Sequence, residues 1–131
     1  GRLTGQILLF ATKMAMVKQV PAEEFVTNNR TVAATKLQDG DSLLTVRIAG
    51  TETDLVLQSA SGMFLRFSMD EIPELKKNSR GVRGMKLGTG DELEEIYFVT
   101  QQPQIVYKEK EVHLNRLKLA KRDGKGSKVR L

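Results

Sequence analysis

Short apolar runs separated by turn signals set the rhythm of the chain. Leu43 to Ile48 reads LLTVRI, an alternation that puts Leu44, Val46 and Ile48 on one side and Thr45 and Arg47 on the other. That is the period of a half-buried strand. Leu55 to Leu57, the turn Ser61-Gly62 and Met63 to Phe67 together predict a hairpin. Leu93 to Val99, Ile105 to Tyr107 and Val112 to Leu114 continue the series. Asp39-Gly40-Asp41 and Thr89-Gly90-Asp91 predict turns, because Gly accepts positive φ and Asp bonds nearby amides. No segment carries a full apolar stripe at helical spacing. Val112 to Ala120 comes nearest and is the one candidate for a short helix. The pattern predicts an all-β chain.

An internal repeat organises these strands. RTVAATKLQDGDSL, Arg30 to Leu43, returns as RGVRGMKLGTGDEL, Arg80 to Leu93, at a spacing of 50 residues. Upstream, Ile7 to Thr12 takes the place of Leu55 to Ser59, and Glu23-Glu24-Phe25 sits near that of Asp70-Glu71-Ile72. Lys121 to Leu131 reads as the end of a third, shorter unit. The units run approximately 1–50, 51–98 and 99–131, within a single domain or fragment. Several strands per unit of this length predict propeller- or pinwheel-type blades. The 131 residues hold about two and a half to three of them. A propeller closes with about four or more, so an open arc or a piece of a longer array is expected. An open arc leaves strand edges available for pairing.

Composition narrows the chemistry. At 40% hydrophobic and 28% charged, the chain is an ordinary globular one. There is no Cys, which removes disulfides and thiolate metal sites and suits a reducing cytosol. The longest apolar run, Ile7 to Ala11, falls far short of the ~20 residues of a membrane helix, and no signal peptide is visible. With 5% aromatic residues and no Trp, a base-stacking platform is not expected. His113 has no second His or Cys for a zinc site. Asp39 and Asp41 lack the spacing of a calcium loop, and Glu92, Glu94 and Glu95 lack a partner base or nucleophile. No phosphate-binding GxxxxGK[ST] loop or nucleophile elbow occurs. The five methionines read as core filler.

The net charge of +5 is unevenly placed. From residue 108 onward nine basic residues oppose three acids, a local +6, which leaves −1 for the first 107 residues. A second cluster, Lys76, Lys77, Arg80, Arg83 and Lys86, contains no acid. Such clusters are either solvated faces or sites for a polyanion.

The string DLVLQSASGMFLRFSMDEIPELKKNSRGVRGMKL, Asp54 to Leu87, resembles the blade repeat of the C-terminal β-pinwheel domain of bacterial type IIA DNA topoisomerase A subunits. The shared elements are Gly62, Leu65-Arg66-Phe67, Asp70-Glu71-Ile72-Pro73, Lys76-Lys77 and Arg80 to Leu87. The first unit is similar, with Lys13, Lys18, Glu24-Phe25 and Thr35-Lys36-Leu37 in family-like places. Lys121-Arg122-Asp123-Gly124-Lys125-Gly126-Ser127 resembles a degenerate form of the family's basic, glycine-rich box. Lys121 and Asp123 stand where that box has Gln and Arg, and one Gly is missing.

The resemblance implies a DNA-binding, DNA-wrapping or -bending module of a gyrase or topoisomerase IV A subunit that contributes to control of supercoiling. It implies no catalysis in this chain: the family's catalytic tyrosine lies in another domain, and neither Tyr97 nor Tyr107 sits in a matching motif. ATP and Mg²⁺ would be bound elsewhere in the parent enzyme. The implied partners are the ATPase B subunit, the rest of the A subunit, and double-stranded DNA, in a bacterial cytoplasm beside the nucleoid and away from membranes. The expected DNA contacts are Lys13, Lys18, Arg30, Lys36, Lys76, Lys77, Arg80, Arg83, Lys86, Lys121, Arg122, Lys125, Lys128 and Arg130. Gly81, Gly84, Gly124 and Gly126 are expected to let the backbone approach phosphates. The alternative is a propeller-like protein-interaction scaffold.

Overall fold

In a computed structural model, residues 7–21, 40–49, 53–75 and 81–128 are described. Eleven strands are present among them, with two 3₁₀ turns and no longer helix. β1 (Ile7–Thr12) and β2 (Met16–Pro21) form a hairpin, and β3 (Leu43–Ala49) pairs with the other side of β1. β4 (Asp54–Ser59), β5 (Met63–Ser68) and β7 (Leu93–Phe98) repeat that arrangement in a second sheet, with β4 in the centre. β8 (Gln104–Tyr107) and β9 (Lys110–His113) form a separate hairpin that opens the third unit.

In each of the first two sheets, one edge is completed by strands from the following unit. β6 (Val82–Arg83) belongs to the second unit in sequence but pairs with β2 of the first sheet. β10 (Leu119–Ala120) and β11 (Ser127–Lys128) belong to the third unit but pair with β5 of the second. Blades are thus interlocked through their edges.

The hairpins repeat at a spacing of 47 residues, down to their hydrogen bonds. The Thr12 hydroxyl accepts from Met16 N (3.1 Å), as the Ser59 hydroxyl accepts from Met63 N (3.1 Å). Ala15 and Gly62, 47 apart, both have positive φ. Asp41 accepts from Met14 N and Ser42 N. Asp91 likewise accepts from Ser61 N and Glu92 N, and from the Ser61 hydroxyl at 2.6 Å. Each Asp ties a hairpin turn to the start of a strand that lies 27 to 30 residues further along the chain, which is what the two Gly-Asp turns accomplish.

Asp91 makes a pH prediction. Burial alone would raise its pKa, but hydrogen bonds from Ser61, Ser59 and the Ser61 and Glu92 amides hold it below the ordinary 3.8. A depressed folded pKa stabilises above the ordinary value, and that contribution is lost as pH falls through the lower one. Asp91→Asn should therefore cost about 1 kcal/mol at pH 7, modest because the turn is exposed. The gap from wild type should shrink in thermal melts near pH 3.

β4 is buried along all six residues because its two faces serve different cores. Leu55 and Leu57 join Leu9, Val17, Leu65, Phe67, Ile96 and Phe98 in the main cluster between the first two sheets. Val56 points the other way, with Phe64, Val99, Val112 and Leu114, and there the third unit docks. Phe64 and Tyr107 meet edge to face, their ring centroids 5.2 Å apart. Edge-to-face contact favours the aromatic quadrupoles.

Three expectations change. In β3 the alternation holds but its apolar side is not buried throughout: Leu44 packs against the main core, Val46 and Ile48 are exposed, and Arg47 is half-buried and bonded to Glu95 at 2.7 Å. The ion pair across to β7 draws Arg47 inward. Val112 to Ala120 is not a helix but the end of β9, a 3₁₀ turn at Leu114–Arg116 and β10. Pairing with β5 and burial of Leu114 override the weak helical pattern. Of the methionines, Met69 and Met85 are buried core, whereas Met14 is exposed.

Candidate nucleic-acid interface

The residues that flank the two basic motifs pair at equivalent positions on successive sheets. Ahead of the first, Glu74 makes a parallel bridge to Gln19 on β2; after it, β6 returns antiparallel, pairing Val82 with Val17 and Arg83 with Met16. Ahead of the second, Leu119 pairs parallel with Arg66 on β5; after it, Ser127 pairs antiparallel with Phe64 and Lys128 with Met63. Gln19 and Arg66 are 47 residues apart, as are Val17 and Phe64. The anchors therefore align Lys76-Lys77-Asn78-Ser79-Arg80-Gly81-Val82-Arg83 with Lys121-Arg122-Asp123-Gly124-Lys125-Gly126-Ser127-Lys128. Lys or Arg stands at the first, second, fifth and eighth place of both strings.

The two motifs also touch. Asp123 N donates to Gly84 O and Lys86 N to Gly124 O, each at 2.8 Å, and Met85 bridges Gly124 in parallel. Arg122 Nη1 donates to Arg83 O (2.9 Å), and Arg122 N donates to Glu71 Oε1 (2.7 Å). The side chain of Arg83 forms a two-point ion pair with Asp123. The hydrogen bond from Arg83, with its charge, holds the Asp123 carboxyl below the usual range, and the same contact raises Arg83.

Of the residues expected to meet DNA, Lys86, Lys121, Lys125 and Lys128 are exposed on this edge. Arg83 is exposed but paired, and Arg122 is half-buried against Arg83 and Glu71. Lys13 is exposed at the β1–β2 turn. Lys18 is a correction: it is 2% exposed, with its ammonium 5.5 Å from the Phe10 ring centroid, so it serves the fold rather than an outer surface. Arg30, Lys36, Lys76, Lys77, Arg80 and Arg130 lie outside the described residues.

The glycines have a packing role in the fold. A Cβ on Gly81 would sit 2.5 Å from Val17 O, and one on Gly126 would sit 2.7 Å from Phe64 O. Gly84 is closed in by Leu57 and Val17, and Gly124 by Leu65. These positions are small so that the donated strand can cross the edge of its host. Gly81 and Gly126 have φ of +85° and +76°, equivalent places with equivalent backbone.

Two contributors escaped the sequence reading. Lys118, exposed just ahead of β10, lines the groove beside Lys121 to Ser127. Arg66 holds the base of the motif by donating to Asn115 O (3.1 Å) and Leu117 O (2.8 Å). Its place beside Phe67 in a repeated strand was visible, but its partners 49 and 51 residues away were not. Elsewhere, Glu94 bonds Gln58 and Glu95 bonds Arg47, so the acidic patch is tied into the sheets. His113 lies 3.0 Å from Glu111.

Comparison with known proteins agrees with this architecture. The family model of the DNA gyrase C-terminal domain, a β-propeller, matches residues 6–49 and 53–100. The DNA gyrase A subunit of Pseudomonas aeruginosa is 34% identical over 91 residues, covering 69% of this chain and 10% of that protein. The corresponding protein of Escherichia coli is 36% identical over 91 residues, covering 68% and 10%. The chain thus spans about a tenth of the length of the curated relatives it matches. Among solved structures, the C-terminal domain of a DNA topoisomerase IV superposes with a TM-score of 0.81 at 22% identity, covering 92% of this chain and 40% of that one. A DNA gyrase A C-terminal domain gives 0.81 at 23% identity, covering 95% and 44%. The twice-matched repeat and the shared pinwheel of sheets place the chain in the DNA gyrase C-terminal β-propeller family.

Proposed function

We propose that this chain is a non-catalytic module of a type II DNA topoisomerase A subunit that binds duplex DNA along its outer edge and bends it. One observation carries the reading: two strings with the same sequence pattern of four basic residues are flanked by equivalent pairings on the same edge of two successive sheets. Duplex DNA presents dense negative charge, and cations that meet it gain affinity by releasing counterions. A protein that bends DNA without reading bases needs phosphate contacts at regular intervals along a rim. Interlocked blades provide such an interval, and the hydrogen bonds between Gly84–Lys86 and Asp123–Gly124 join one basic segment to the next. Membership of the family extends the proposal to a bacterial cytoplasmic setting beside the nucleoid and to an ATPase partner subunit. ATP and Mg²⁺ would act elsewhere in the parent enzyme. Among the described residues no helix is long and apolar enough to cross a membrane.

The test is the salt dependence of binding to a linear duplex. Wild type should show a steep slope of log K against log salt. The combined variant Lys86→Ala, Lys121→Ala, Lys125→Ala and Lys128→Ala should lose about 3–4 from that slope, roughly 0.9 per lost phosphate contact. Circularisation of short duplexes would then report bending. A shallow wild-type slope that the substitutions leave unchanged would sink the DNA reading. It would favour the second one, a protein-interaction scaffold, for which Val46 and Ile48, exposed on the same side of β3, offer an apolar contact.

A further inference from the structure

We propose that Asp123 is a built-in counter-ion occupying the anion position of Arg83, so that a DNA phosphate must displace it to bind there. This rests on the DNA-binding reading and adds a restraint to it. Four observations carry the inference. The carboxylate takes both the Nε and Nη2 donors of Arg83, the planar fork that also suits phosphate. Arg83, Arg122 and Lys86 all act on Asp123 electrostatically, so one carboxylate sits among three cations on an exposed edge. Arg122 Nε is buried and has no acceptor among the described residues, leaving the cluster with an unused donor. The aligned position in the preceding unit is Asn78, so the two basic strings differ in charge at this place.

The chemistry is competition. An exposed ion pair is worth little to stability, so its loss leaves the fold intact. It does cancel one positive charge where charge sets affinity. Asp123 has a φ of 70°, a conformation that Asn and Gly tolerate better than other residues. Asp123→Asn and Asp123→Gly therefore remove the charge without forcing the backbone, and each checks the other.

Both variants should bind linear duplex about 3–10-fold more tightly at moderate salt, with a slope steeper by about 1, the value of one added phosphate contact. Glu109→Gln, which removes an exposed charge from the β8–β9 turn, is the control for net charge and should change little. Adding Arg83→Ala to Asp123→Asn should abolish the gain. A second arm uses inorganic phosphate and the NMR signal of the Arg83 Nε–H group. That signal should respond in Asp123→Asn and stay still in wild type. Binding by both Asp123 variants no tighter than by Glu109→Gln, or no phosphate response in either protein, overturns the inference while leaving the wild-type salt slope to speak for DNA binding. If phosphate moves Arg83 only in the variant and no protein binds duplex, the anion position stands and the DNA reading falls.

Discussion

Arg66→Met is expected to destabilise the protein by about 3–5 kcal/mol and to release the second basic motif from its host strand. Arg66 and Asp54 form an ion pair across β5 and β4, with side chains 20% and 9% exposed. Removing the cation leaves a carboxylate largely cut off from water, with only the Thr53 hydroxyl (2.9 Å) and no positive partner among the described residues. Breaking a buried pair from one side costs that order of energy, whereas replacing both partners with apolar groups costs far less. Arg66→Met with Asp54→Leu should therefore recover most of the lost stability in urea melts. It should not recover the hydrogen bonds from Arg66 to Asn115 O and Leu117 O, which fix the chain as it enters β10. Amide exchange over Leu117 to Ser127 should stay fast in both variants while the rest of the second sheet regains protection. A double variant as unstable as the single one would show that packing, not charge, is Arg66's contribution.

Gly81→Ala is expected to cost about 2–4 kcal/mol, more than a two-residue strand on an exposed edge would suggest. Two penalties add. A non-glycine residue at this positive φ costs about 1–2 kcal/mol. The added Cβ would also meet backbone, Val17 O at 2.5 Å, which cannot swing aside as a flexible side chain would. β6 must lift from β2, and Arg83 with it. Gly90 separates the two contributions: its φ is +79°, but nothing lies within 4 Å of a Cβ there. Gly90→Ala should cost about 1 kcal/mol, from the backbone alone. Equal losses at both sites in chemical denaturation would refute the close-approach account.

Much of the sheet structure was legible in the sequence because it is local. The hairpin around Ser61-Gly62 and the strand Leu93 to Phe98 follow from alternation and turn residues within a few positions. β2 was harder: MVKQVP carries Lys18 and Gln19 in its middle, and the fold accommodates buried Lys18 against Phe10 and half-buried Gln19 through bonds to Met69 and Ile72. β6 could not be read at all as an edge of the first sheet. Nothing in Val82-Arg83 specifies Val17 and Met16 as partners, far back in the chain; that pairing follows from how the blades pack. The same non-locality hid the site. In sequence, RGVRG and the box at Lys121 look like different motifs in a 50-residue register. Only their flanking pairings, Glu74 with Gln19 and Leu119 with Arg66, show them to be copies in a 45-residue register. The glycines were recognisable as special, but a turn, a ligand approach and a strand crossing leave the same trace in a sequence.

The donated edge strands bear on how such an array can be cut or enlarged. A fragment ending at residue 100, where the family match stops, keeps β4, β5 and β7 but strips the outer flank of β5. Such a piece exposes a row of unpaired backbone groups, a template for association with other chains. Conversely, a gene duplication that inserts one more copy succeeds only if the new copy both receives a strand from its successor and gives one to its predecessor. The heritable unit and the folding unit are circular permutations of each other, and boundaries chosen from the repeat alone divide every blade.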